Sequence, residues 1–137
     1  KNPENYNVIV AGNMFGDIVS DAFAGLIGGL GFATSAQFNP ENGIGVFEPT
    51  HGSAPKYADY ETSIVNPVAM ILSAVMMLEH LNEDETAGRI RKAVMEVVAE
   101  GKVRAYDMLK LRGTPEVVNQ GAASTRQMAD AIIAKLK

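Results

Sequence analysis

Apolar and polar positions along the chain fall into two periods. Val8-Ile9-Val10 is a short β-branched run bounded by asparagines and by Gly12, the pattern of a buried strand. From Phe15 to Ile27 the apolar residues Ile18, Phe23, Leu26 and Ile27 recur at helical spacing, with Asp17 and Asp21 elsewhere on the surface. Gly28-Gly29 and Gly31 end that helix. Residues 32–45 read as a loop broken by Pro40 and Gly43, and Val46-Phe47 as a second short strand feeding a turn-rich loop from Glu48 to Asp59. Asn66-Pro67 supplies an N-cap and a proline at the first helical position. Ile71, Leu72, Val75, Met76 and Leu78 then mark one broad apolar face running to about Leu81. Thr86 to Gly101 gives a further helix with Ile90, Val94, Val97 and Val98 inside. Lys102 to Asp107 reads as an extended link and Leu111 to Gln120 as a loop. Ser124-Thr125 precede a last helix whose stripe is Met128, Ile132, Ile133 and Leu136. Short strands among longer helices predict an α/β architecture.

The 137 residues suit one domain, and 47% apolar with 20% charged residues is ordinary globular composition. A net charge of −4 without a basic stripe argues against a nucleic-acid partner. There is no cysteine, so disulfides and thiolate metal sites are excluded; this is compatible with a cytoplasmic address. No apolar run reaches the roughly 20 residues of a membrane span. The first residues, Lys1-Asn2-Pro3-Glu4-Asn5, lack a leader pattern and an initiator Met, and read as an internal start.

Two constellations could carry chemistry. Asp17 and Asp21 are four apart, so on a helix they share one face a turn apart. Paired carboxylates with open positions suit hard cations such as Mg²⁺ or Mn²⁺. The same spacing also fits two solvated acids near a helix N-terminus. The loop Glu48-Pro49-Thr50-His51-Gly52-Ser53-Ala54-Pro55-Lys56-Tyr57 offers exposed amides, a point charge in Lys56 and an apolar face with a polar tip in Tyr57. It could hold a phosphate or an adenosine, or be a plain surface loop. Tyr106 and Lys110 could reach one anion, though solvated pairs with this spacing are common. Gly28-Gly29-Leu30-Gly31 follows a helix instead of opening one, so no Rossmann fingerprint is present. Met76-Met77 reads as core filling, His80 as a helix-end contact and Glu83-Asp84-Glu85 as a solvated run at the next N-cap.

Taken together, NMFGDIVSDAFAGLIGGLG (13–31), FEPTHGSAPKYA (47–58) and NPVAMILSAVMMLEH (66–80) resemble the isocitrate and isopropylmalate dehydrogenase family. The likeness runs from about Asn5 to the C-terminus. It implies a non-Rossmann α/β fold, a mixed sheet flanked by helices. Residues 1–27 would end the small or central domain with its metal-binding helix, and 28–137 would form the C-terminal part of the large coenzyme-binding domain. It also implies metal-dependent oxidative decarboxylation of a 2-hydroxy acid. Asp17 and Asp21 match the family's metal-binding aspartates. Glu48 matches a residue near the nicotinamide end, His51, Gly52, Ser53 and Ala54 the loop around the adenosine half, and Asn66 an adenine contact.

By the same resemblance Lys56-Tyr57 stands where NAD-using relatives carry Asp-Ile, and Tyr106 matches a second 2′-phosphate ligand, which points to NADP and so to isocitrate. Two positions depart: Lys110 where relatives tend to carry Arg, losing the bidentate fork, and Asp59 where they often have Gly. The family's catalytic Tyr and Lys, its substrate-binding Ser and Arg and a further metal-binding Asp would lie upstream of Lys1. The expectations are therefore a homodimeric NADP-dependent isocitrate dehydrogenase, of which this chain alone is inactive. The alternatives are a 3-isopropylmalate dehydrogenase using NAD, or a non-catalytic module.

Overall fold

The computed structural model describes residue 5 and residues 7–136. The chain runs through helix α1 (Asn13–Ala24), a 3₁₀ turn at Leu30–Phe32, strands β1 (Thr34–Phe38) and β2 (Gly45–Pro49), and a 3₁₀ turn at Pro55–Tyr57. Helices α2 (Val68–His80) and α3 (Asp84–Glu100) follow, then a 3₁₀ stretch at Pro115–Gln120 and helix α4 (Thr125–Ile133). β1 and β2 form an antiparallel ribbon with Thr34 opposite Pro49 and Phe38 opposite Gly45. Among the described residues this antiparallel ribbon is the only sheet, so no parallel pairing of the expected mixed sheet is present in them.

α2 lies across the ribbon and pairs with α3, which in turn meets α4. Val68, Val94, Val97, Met128 and Ile132 are buried where the three helices converge, with Ala93, Ala105 and Ala123 letting the backbones close in. Each fully buried side chain of the size of Met128 stabilises by roughly 1.5–3 kcal/mol. A smaller cluster of Ile64, Val117 and Ala122 lies beneath Tyr57, Tyr60, Tyr106 and Leu109. The helix ends follow their sequences. Ser124 and Gln127 make a reciprocal capping box on α4, and Gly101 closes α3 in the left-handed conformation. Asp84 and Glu85 occupy the first turn of α3.

Several sequence expectations are corrected. Val8-Ile9-Val10 forms no strand and is exposed, because no described segment pairs with its backbone. The loop expected over 32–45 contains β1, whose polar Thr34, Ser35 and Gln37 hide its strand character. α1 ends at Ala24, and Ile18, Phe23, Leu26 and Ile27 face outward; Ala24 is its one buried residue. Lys102 to Asp107 bends instead of extending. In α4, Ile133 is exposed while Met128 and Ile132 are buried. His80 does not cap its helix: its Nε2 bonds the Gly43 carbonyl at 2.9 Å, and its ring packs on Phe38 and Phe47, tying α2 to the hairpin turn. Among the described residues no helix is long and apolar enough to cross a membrane.

Candidate functional site: an acidic cleft beside an aromatic cavity

The helical period of α1 puts Asp17 and Asp21 on one exposed face, and that face borders the β-ribbon. Here the chain encloses a polar cleft of about 620 Å³ lined by Asp17, Ser20 and Asp21, by Thr34, Ser35 and Gln37, and by Glu48 and the 49–52 turn. Gln37 and Glu48 are diagonal neighbours across the ribbon, and Gln37 Nε2 donates to Glu48 Oε1 at 3.0 Å. That bond holds the Glu48 carboxylate on the cleft side. Asp17 and Asp21 offer hard oxygen donors, in kind what Mg²⁺ or Mn²⁺ takes. Among the described residues no group of three or more His, Asp or Glu side chains is gathered to hold a metal. Two carboxylates alone would fill only part of the coordination sphere of such an ion.

A second cavity, of about 410 Å³, adjoins the first, because His51 and Gly52 line both. Its walls are Leu30 and Gly31, the His51–Ala54 loop, Tyr57, Val65 and Asn66, and Tyr106 and Asp107. His51 Nδ1 donates to the Gly52 carbonyl at 2.9 Å, so in the neutral ring Nε2 is the free acceptor. Ala54 lies in the left-handed region (φ 47°) ahead of Pro55, which turns the chain so that Lys56 and Tyr57 emerge from the 3₁₀ turn. The Lys56 ammonium sits over the Tyr57 ring, 4.6 Å from its centroid.

Tyr57 and Tyr106 arrive from segments 49 residues apart, and their hydroxyls meet at 3.3 Å. The two phenols are driven in opposite directions. The hydrogen bond with Tyr106, and then Lys56, lower the Tyr57 pKa against its partial burial. Burial first, and then the Tyr57 hydrogen bond, raise Tyr106 above the ordinary tyrosine value.

At the cavity floor Asn66, 4% exposed, joins two elements. Its Oδ1 accepts from the buried Val68 amide at 3.1 Å, a local bond to the first residue of α2; the N-cap itself is Pro67, one residue later than the Asn66 expected from the sequence. Asn66 Nδ2 donates to Asp107 Oδ2 at 3.0 Å. Asp107 Oδ1 is buried without a donor. Gly31 makes room for the pair: a Cβ there would stand 2.2 Å from Asp107 Oδ2 and 3.0 Å from Asn66 Nδ2.

The sequence-derived residues therefore divide. Asp17, Asp21 and Glu48 share the acidic cleft with His51 and Gly52. Ala54, Tyr57, Asn66 and Tyr106 share the aromatic cavity with the same two residues. Ser53, Lys56 and Asp59 line neither, although Lys56 touches the second through Tyr57. Lys110 lines a third, apolar cavity of about 760 Å³ beside Phe32, Val94 and Met95, which adjoins the aromatic one at Gly29 and Asp107. Gly31 closes the 13–31 motif and Asp107 follows Tyr106, but neither was among the expected site residues. Asp107 stands directly beside Tyr106, but its partners are 41 and more residues away, so spacing carried no signal for them.

A helix-borne acid pair thus faces a ribbon, next to a loop-built aromatic cavity. The family model for isocitrate/isopropylmalate dehydrogenase matches residues 1–132, and the chain belongs to that family. It is 46% identical over 99% of its length to an isocitrate dehydrogenase [NADP] of Thermus thermophilus, of which it spans 25%. It is 50% identical over 74% of its length to a 3-isopropylmalate dehydrogenase of Methanothermobacter thermautotrophicus, spanning 30% of that protein. The crystal structure of isocitrate dehydrogenase from Methylococcus capsulatus superposes with a TM-score of 0.82 at 42% identity, covering 98% of this chain and 36% of that one. The chain thus spans about a quarter to a third of the length of the relatives it matches.

Proposed function

We propose that this chain is the divalent-metal- and coenzyme-binding part of an enzyme that oxidatively decarboxylates isocitrate to 2-oxoglutarate with NADP. The observation that carries the reading is the shared wall: His51 and Gly52 border both the acidic cleft and the aromatic cavity. An elongated dinucleotide can therefore lie with its adenosine half among Tyr57, Asn66 and Tyr106 and its reactive half toward Glu48. A divalent cation, when bound, would polarise the substrate's hydroxyl and carboxylate oxygens and spread the charge left as CO₂ departs. Asp17 and Asp21 would hold that cation from one helix face, and the Gln37 bond would keep Glu48 aligned. Lys56 with Tyr57 favours a 2′-phosphate, since a cation there attracts it where an acid would repel it. The 42–46% identity to isocitrate dehydrogenases [NADP] supports the same choice.

A second reading, oxidation of 3-isopropylmalate with NAD, is favoured by the 50% identical relative. Under the first reading the intact enzyme is a homodimer that takes a small 2-hydroxy acid, as the family likeness implies, and the charge and composition of this chain fit a cytoplasmic protein that binds neither nucleic acid nor membrane. The deciding assay gives the intact protein isocitrate or 3-isopropylmalate with Mg²⁺ and each coenzyme. Turnover with isocitrate and NADP is expected; a preference for NAD, or for 3-isopropylmalate, overturns the proposal.

A further inference from the structure

Gly113 stands against the two tyrosines in a way that nothing in its own sequence neighbourhood announces. A Cβ built there would lie 2.5 Å from the Tyr57 hydroxyl oxygen, 3.0 Å from Tyr57 Cζ and 3.1 Å from Tyr106 Cε2. These distances are below van der Waals contact, so any side chain at 113 must displace something. The backbone is poorly placed to yield. On one side Leu111 N donates to the Tyr106 carbonyl at 2.9 Å. On the other, Val117 is fully buried against Ile64 and anchors the 3₁₀ stretch that begins at Pro115. Tyr106 is itself half-buried over the same cluster. Tyr57 rests on that cluster too but is the less buried of the pair, and its hydroxyl end, which makes the 3.3 Å contact with Tyr106, is what an added Cβ meets first and moves. Gly113 does not have a positive φ, so alanine can take its backbone conformation.

We propose that Gly113 is a positioning residue that sets coenzyme specificity: its missing side chain lets the Tyr57 and Tyr106 hydroxyls converge beside Lys56 as one anion-facing edge. The inference rests on the NADP reading above and adds to it the residue that holds the edge in register. A side chain at 113 swings the Tyr57 phenol away from Tyr106 and alters the Lys56 contact on its ring. The core under the pair stays in place. The loss therefore falls on a ligand's 2′-phosphate and leaves the rest of the adenosine in its cavity.

The test measures binding of 2′,5′-ADP and of 5′-ADP to the intact protein by calorimetry, for the parent and for Gly113→Ala. The parent is expected to prefer 2′,5′-ADP. Gly113→Ala is expected to weaken 2′,5′-ADP by about tenfold or more, the scale of one charge-assisted hydrogen bond, and 5′-ADP by less than about twofold. Equal weakening of both ligands would mark a merely structural glycine and overturn the inference, as would an unchanged ratio. A parent that does not prefer 2′,5′-ADP would instead sink the NADP reading itself, and the inference with it. In a Tyr57→Phe background, which lacks the atom at 2.5 Å, Gly113→Ala should change the ratio no further. If the single variant does not fold, this double variant must fold and bind as Tyr57→Phe does; its failure to do so also overturns the inference.

Discussion

Replacing Asn66 by alanine tests whether one buried amide joins the start of α2 to the turn that carries Asp107. Asn66 is 4% exposed, and its two bonds run to groups that water reaches poorly. Val68, fully buried, would lose the acceptor for its amide. That is the loss of a side-chain acceptor at the helix start, on the scale of a cap, about 0.5–2 kcal/mol. Asp107 would lose the donor on Oδ2 while Oδ1 already has none. Leaving a buried acceptor unpaired costs about 1–3 kcal/mol, more when it is charged. The expected destabilisation is therefore about 2–5 kcal/mol in all, read as a fall in the urea midpoint at unchanged m-value and as faster hydrogen exchange at Val68.

A swap separates the two halves of that cost. Asn66→Asp keeps an acceptor for Val68 but opposes two carboxyls, and it should be at least as damaging as alanine. Adding Asp107→Asn restores a donor–acceptor pair with the roles exchanged, and should recover more than half of the loss. The reasoning is refuted if Asn66→Ala costs less than about 0.5 kcal/mol, the range of an inert surface change. It is refuted equally if the swap shows no coupling between the two positions.

The remaining expectations can be checked separately. Met128→Ala, at a fully buried position among Val68, Val97 and Ile132, should cost about 2–5 kcal/mol in the urea midpoint, whereas Ile133→Ala, exposed one position beyond Ile132, should change it little. In an alkaline titration followed by ¹³C-tyrosine NMR, Tyr57 should ionise before Tyr106. Because Tyr106 is held above its unfolded value of about 10, its contribution to stability is complete below that pH and is lost as pH rises toward its folded pKa. Tyr57→Phe should leave Tyr106 still raised, since burial is the larger cause. Asp21→Asn should weaken Mn²⁺ binding, followed by electron paramagnetic resonance, by at least about tenfold. Equal affinity would remove Asp21 from the cation's surroundings.

How much of the fold was legible depended on where each element's partners lie. α3 packs on α2 and α4, and α2 packs on α3 and the ribbon, so Ile71, Val75, Val94, Val97, Met128 and Ile132 repeat at helical spacing in the sequence and point inward in space. α1 carries the same signal in Ile18, Phe23, Leu26 and Ile27, but no described residue covers that face, so its apolar stripe predicts a helix without predicting its burial. β1 failed in the opposite way. Thr34, Ser35 and Gln37 line a polar cleft, so the strand's composition records the site and not a core. Alternation of apolar and polar residues had nothing to register there.

The site shows the same division, and it explains which residues a motif can name. Asp17 and Asp21, and the His51–Tyr57 loop, are contiguous, so helix and turn geometry alone bring them together. The Tyr57–Tyr106 contact, the Asn66–Asp107 bond and the clearances at Gly31 and Gly113 all cross from one segment to another. They exist because the Ile64, Val117 and Ala122 cluster draws the 57–66 and 106–118 segments onto one floor. Thr125 N helps from below by donating to the Ser63 carbonyl at 2.9 Å, which fixes the strand of chain between Tyr57 and Asn66 against α4. It follows that shrinking this floor should spread the edge above it before it unfolds the chain. Ile64→Val removes one methylene, a cost of about 0.5–1.5 kcal/mol. If the floor positions the tyrosines, that variant should narrow the gap between the Tyr57 and Tyr106 titrations as their hydroxyls part. If the gap stays as wide as in the parent while stability falls by the stated amount, the cluster supports the fold alone and the tyrosine pair is held by its own loops.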